Sequence, residues 1–237
     1  MGKLVLNRDF IFYVKSLVKL NDSIIISSDK EQLSCLVGTP DNVAIAHGLF
    51  PCSSEFDGFL NIPSITKLIK ALDQIDGEVI EFTVNNNNIV YKSPKLRFKY
   101  HLLDNGIISQ PALSIKKIQD FTFDISFKVK HEQFVELNKF STFNSDSNKI
   151  YLYGDGKNVF ADLTDRARDN IDSLQFQFAE YAEAFDAQSF KLDFFRSLSL
   201  TSNSDVTINI NSTLGVLAID IINPHYKLKY ITTSFTS

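Results

Sequence analysis

One order of elements occurs twice along this 237-residue chain, and that repetition limits its fold more than any single motif does. A short apolar run at 3–6 leads into a helical pattern at 8–20. There Phe10, Val14, Leu17 and Val18 fall at i, i+4, i+7 and i+8 and so share one face. Asn7 precedes it as a capping residue. Strand patterns follow at 23–27, 32–37 and 43–49. Pro63 then opens a second helix through Ile65, Leu68, Ile69 and Leu72, where a missing N–H costs nothing. Strands are expected again at 78–84, 89–92 and 95–102. From 121 the order restarts: a strand at 121–129, a helix at 130–143 with Phe134, Leu137 and Phe140 inward, and strands at 149–153, 158–162 and 172–178. A helix at 188–200 and strands at 205–210, 214–221 and 226–232 complete it.

The correspondence reaches individual residues. Phe10 matches Phe134, and ITKLIKAL (65–72) before EVIEFTV (78–84) matches FKLDFFRSL (190–198) before DVTINI (205–210). LRFKY (96–100) matches YKLKY (226–230), with both basic positions and the last Tyr shared. A period of about 120 residues is too long for a solenoid unit and marks a duplicated domain. Between the copies, DNGIISQPALSIKKIQD (104–120) breaks the alternation and is long for a connection inside one domain. The expected organisation is a domain at 1–103, a connector at 104–120 and a second domain at 121–237. Each is α+β, with two helices packed on antiparallel sheet.

Composition supports this reading and narrows the function. The 21 Phe and eight Tyr largely alternate with polar residues, the pattern of a sheet with one covered face. The net charge of −4 taken whole argues against a generic basic nucleic-acid binder. Divided by element it reads differently. Arg8, Lys15 and Lys19 lie in the first helix, and Lys67 and Lys70 in the second. Lys130 and Lys139 lie in the third, Lys191 and Arg196 in the fourth. Against their acidic neighbours the four helices total +4, with the third at zero, so the rest of the chain carries −8.

No chemistry-bearing constellation stands out. Cys35 and Cys52 form no CxxC pair or Cys/His cluster, and the four His are scattered with no HExxH. Gly154-Asp155-Gly156-Lys157 lacks phosphate-loop spacing and reads as a hairpin turn. DLTDRARD (162–169) has carboxylates without EF-hand spacing and reads as a solvated loop. No GxSxG is present. The N-terminus lacks a signal-type apolar run, and the longest apolar cluster, 10–14, is far short of a bilayer span. The expectation is a soluble, intracellular protein with no metal, no cofactor, no membrane association and no enzymatic role.

The paired halves, the long connector, DGFLNIPSITKLIKAL (57–72) and the ending YKLKYITTSF (226–235) together resemble the DNA sliding clamps. The resemblance is to the T4-like bacteriophage and PCNA-type family, and it extends over essentially the whole chain. It implies a viral processivity factor: a homotrimeric ring whose helices line a hole around double-stranded DNA. It also implies tethering of a DNA polymerase, placement by an ATP-dependent clamp loader, and residence in the cytoplasm of the infected host cell. The basic helix residues named above would face DNA without reading sequence. Ile107, Ile108, Pro111, Ala112 and Leu113, with Tyr230 and Ile231, would form the partner-peptide pocket. Copies would join through Lys95, Arg97, Lys99 and His101 on one edge strand and Leu174, Phe176 and Phe178 on the other. The alternative is a β-rich virion structural or protein-interaction protein with a duplicated domain, which gives no reason for basic helices. A hydrolase or lyase would need a carboxylate or His cluster, and the sequence shows none.

Overall fold

The computed structural model describes residues 2–85, 87–143 and 147–234. Asn86, between the strands expected at 78–84 and 89–92, and Phe235 of the clamp-like ending lie outside the described residues. The chain divides into two compact units: Met1–Gln119 with Pro224–Leu228, and Asp120–Asn223 with Lys229–Ser237.

In the first unit β1 (Gly2–Asn7) leads into α1 (Phe10–Leu17). Strands β2 (Ile24–Asp29), β3 (Gln32–Gly38), β4 (Ala44–Pro51), β5 (Ser53–Ser54) and β6 (Asp57–Ile62) follow. Then come α2 (Ile65–Leu72), β7 (Val79–Asn85), β8 (Asn88–Lys92), β9 (Arg97–His101) and, in the connector, α3 (Ile115–Gln119). The second unit runs β10 (Ile125–Val129), α4 (His131–Phe140), β11 (Lys149–Asp155), β12 (Asn158–Leu163), β13 (Leu174–Glu180), β14 (Ala184–Lys191) and α5 (Leu192–Ser197). It continues with β15 (Asp205–Asn211) and β16 (Val216–Asn223), and β17 (Tyr226–Thr233) follows, counted with the first unit as far as Leu228 and with the second from Lys229. The duplication holds at the level of topology. The antiparallel order β4-β3-β2-β6 of the first unit recurs as β13-β12-β11-β14 in the second, and β1-β7-β8-β9 recurs as β10-β15-β16-β17.

Each helix buries one face, and the aromatic residues do most of the filling. On α1, Phe10 and Tyr13 meet Phe50 of β4 with ring centroids 5.4 Å apart in each case. Beneath them Gly48 has no side chain for a reason: a Cβ there would lie 2.7 Å from the Tyr13 ring. On α4, Phe134 and Leu137 are buried, Phe134 meets Phe178 edge-on at 5.4 Å, and half-buried Phe140 meets Phe176 at 5.0 Å.

Several boundaries differ from the sequence reading, each with a local cause. α1 begins two residues late, because Asn7 Oδ1 accepts the Asp9 N–H at 3.0 Å and closes a turn before the helix. Pro63 lies just outside α2, whose N-cap is Ser64; its Oγ accepts from the Lys67 N–H at 3.2 Å. Asp22 reinforces that cap, accepting from the Thr66 N–H and the Ser64 hydroxyl, both at 2.7 Å. Residues 188–191, expected in a helix, belong to β14, so α5 spans only six residues. β14 is an edge strand with one fully buried side chain, Phe190, and so carries little alternation. Short β5 and α3 left no periodic signal.

The two loops weighed as motifs are structural. Asp155 Oδ1 accepts from the Lys157 and Asn158 N–H groups at 2.9 and 2.7 Å, and Gly156 takes φ +91° in the β11–β12 hairpin. In DLTDRARD, Asp162 pairs with Arg166 at 3.0 Å and Asp165 with Lys149 at 2.7 Å, so both carboxylates already hold cations of this chain. No helix among the described residues is long and apolar enough to cross a membrane.

Candidate nucleic-acid interface and partner surfaces

The nine cations named on the helices fall into distinct environments. Arg8 donates to the carbonyls of Ile75 and Gly77 at 2.7 and 3.3 Å, fastening the start of α1 to the loop after α2. Arg196 pairs with Asp193 at 2.9 Å and also donates to the Ser141 carbonyl. These two guanidiniums hold the units' own loops. Lys15 pairs with Asp73 at 3.0 Å, both side chains well exposed, and such a pair exchanges readily for a phosphate. Lys191 is half-buried at the start of α5, and Lys19 is exposed beyond the end of α1. Lys67, Lys70, Lys130 and Lys139 are exposed, and among the described residues none of the four makes an ion pair. The surface of α1 and α2 is thus a set of ammonium groups on two short helices, α2 capped by Ser64, with half-exposed Phe12 among them.

Around the connector, two cavities lie wholly in the first unit. One, of about 480 Å³, is bordered by Ile25 of β2, Leu36 of β3, Phe59 of β6 and by Pro111, Ala112 and Leu113. A smaller one, of about 120 Å³, adjoins it through shared Ile25, Leu36 and Pro111 and is bordered by Ile108. The connector residues expected in a pocket therefore meet the outer faces of β2 and β3. Ile107 is exposed and borders neither cavity. Tyr230 and Ile231 require correction: both are buried, with Tyr230 fully enclosed against Phe194 at 6.4 Å, so they fill the second unit's core. Sequence reasoning missed Ile25, Leu36 and Phe59, of which Phe59 is the most open, exposed at 55%. Its only sequence signal was its place in the DGFLNIP segment.

The expected joining strands are both sheet edges. β9 ends the β5-β1-β7-β8-β9 sheet and β13 ends β13-β12-β11-β14. Arg97, Lys99 and His101 point outward and are exposed, while Phe98 and Tyr100 turn inward; Lys95 is exposed just before the strand. Phe98 stacks on Tyr91 at 5.6 Å. On β13, Leu174 and Phe176 are half-buried, but Phe178 is fully buried against α4, so only its backbone is open to a partner. Burial pushes the Cys35 thiol up to about 12, and burial together with the Asp29 carboxylate pushes Cys52 up to about 11. Neither is a thiolate at neutral pH.

No family model matches the sequence, and no curated protein does. Comparison of folds is decisive. A solved structure of the C-terminal region of FEN-1 bound to A. fulgidus PCNA superposes with TM-score 0.78 at 13% identity, covering 100% of this chain and 99% of that one. PCNA from Thermococcus kodakaraensis gives 0.78 at 12% identity, covering 99% and 100%. This chain has the sliding-clamp fold. The H. pylori beta clamp, solved with diflunisal, gives 0.75 at 16% identity, covering 100% of this chain and 66% of that longer one. The clamp fold thus accounts for the whole length of the chain, and the two PCNA structures match it end to end.

Proposed function

We propose that this chain is the subunit of a DNA sliding clamp. In this reading three copies join edge to edge into a closed ring, and the helices line its hole. The ring encircles duplex DNA and tethers a replicative polymerase through a peptide held in the connector cavity. A separate ATP-dependent loader opens the ring, and the chain itself catalyses nothing. The setting we propose is a T4-like bacteriophage acting in the cytoplasm of its host. The observation that carries the reading is end-to-end agreement with the fold of PCNA at TM-score 0.78.

The physics supports it. A clamp must hold DNA without stopping on it, which base-edge hydrogen bonds would prevent. Ammonium groups such as those of Lys67 and Lys70 attract phosphates of any sequence through a salt-dependent, non-directional term. The remaining acidic surface keeps the outside of the ring from competing for DNA. Retention is topological, so modest electrostatic affinity suffices.

The test is to load the protein onto circular DNA with its polymerase and loader, then cut the circle. Release on linearisation, prevented by blocking both ends, is expected. Retention on open-ended linear DNA would overturn the topological mechanism.

A further inference from the structure

If copies join through β9 and β13, their inward residues fix the register. Phe98 and Tyr100 turn inward on β9, as Phe176 and Phe178 do on β13. Residues of one face must stand opposite each other across a strand pair. Placing Phe98 opposite Phe178 and Tyr100 opposite Phe176 keeps all five residues of β9 within β13. A shift of two residues in either direction carries Arg97 or His101 past its end. In this register Arg97 stands opposite Ala179, where β13 bulges so that Phe178 and Ala179 are both buried, and the exposed side chain next to outward Arg97 is that of Glu180.

Ala179 borders a cleft of about 530 Å³ that lies wholly within the second unit, between the start of α4, the end of β13 and the start of β15. Three carboxylates border it, Glu132, Glu180 and Asp205, against Lys128, Lys130 and His131. Among the described residues, none of the three carboxylates makes an ion pair or side-chain hydrogen bond, and Arg97 makes none either. An exposed guanidinium on one edge and unpaired carboxylates at the opposing edge are complementary halves of one contact.

We propose that this cleft receives Arg97 of a second copy of the chain, with Glu180 and Glu132 holding its guanidinium. The inference rests on the edge-joined assembly and adds a named lock to it. Donor and receptor lie on different units, so every copy carries one of each and the contact can repeat head to tail around a ring. It also makes the joint salt-sensitive, because its charges meet at the rim of an open cleft.

The experiment measures self-association of the full chain by sedimentation equilibrium, for wild type, Arg97→Glu, Glu180→Arg and the double variant. Each single variant is expected to raise the dissociation constant by at least about tenfold. The double variant restores it to within about threefold, because the swapped charges meet again at every joint. At concentrations where every variant is monomeric all four melt alike, since both side chains are exposed. If wild type assembles and the single variants assemble as well as it does, the Arg97 lock is wrong while the ring reading stands. If both singles weaken assembly and the double gains nothing back, the pairing with Glu180 is wrong. A wild type that stays monomeric at every concentration overturns the ring reading and this inference with it.

Discussion

Removing one hydroxyl, by Tyr100→Phe, tests how the clamp-fold unit holds its basic helix in place. Tyr100 lies on β9 with its ring buried, and its hydroxyl donates to the Ser64 carbonyl at 2.6 Å and accepts from the Ser64 N–H at 3.0 Å. Ser64 is the N-cap of α2, so this one phenol joins the free edge strand to the helix that carries Lys67 and Lys70. The carbonyl keeps a second partner, the Leu68 N–H at 3.1 Å, but the Ser64 N–H loses its acceptor. An orphaned, partly buried donor costs about 1.5 kcal/mol. For a chain of this length that lowers Tm by about 3–6 °C. The assay is thermal unfolding by circular dichroism, with amide exchange across 64–68 as the local readout. Burial pushes the phenol's pKa up, so the bond persists through mildly alkaline pH and the comparison is insensitive to buffer choice. A Tm change under about 1 °C with unchanged exchange at 64–68 would refute the pinning argument.

Asp22→Ala should weaken the other half of the same cap. Burial pushes that carboxyl up, but hydrogen bonds from Thr66 and Ser64 outweigh it and the net shift is downward. A folded-state value below the unfolded one means stabilisation is present above the unfolded pKa and is lost as pH falls through the folded value. The wild type should therefore lose stability more steeply below about pH 4 than the variant, by acid titration of Tm; parallel curves would contradict this. Lys67→Ala and Lys70→Ala should each lower the slope of log affinity against log salt by about 0.9 for every phosphate the protein no longer neutralises, equally on all DNA sequences. A sequence-dependent change would point to base contacts instead. Phe59→Ala should weaken polymerase-peptide binding about tenfold by calorimetry while leaving Tm in place, since the side chain is half-exposed; unchanged affinity would remove Phe59 from the pocket.

The repeated order of strands and helices was legible because both signals it uses are local. Alternation marks a strand such as β7, and 3.6-residue spacing marks a helix such as α2. Offset matching of LRFKY with YKLKY joined the two halves without any tertiary information. β14 escaped because an edge strand with one buried residue need not alternate, and α3 because five residues make barely more than one turn. Tyr230 was misplaced for a different reason. Its repeat partner, Tyr100, uses a hydroxyl to cap a helix, whereas Tyr230 packs edge-on against Phe194 in the core. Matching positions in a duplicated domain share backbone geometry but not necessarily surroundings.

Charge shows most sharply where sequence arithmetic stops. Summing side chains by element separated basic helices from an acidic remainder, and that separation is borne by exposed side chains at Lys67 and Lys70. It overstated the available cationic surface, because a sum counts every charge as free to act. Arg8 and Arg196 are held by carbonyls that no linear pattern could reveal, since Ile75 lies 67 residues from Arg8 and Ser141 55 residues from Arg196. Conversely, α4 sums to zero, yet its Glu132 borders a cleft whose carboxylates lack partners among the described residues. A neutral total there conceals an unbalanced local field. The electrostatic design of such a chain is therefore decided less by how many charges each helix carries than by which of them its own backbone has already claimed.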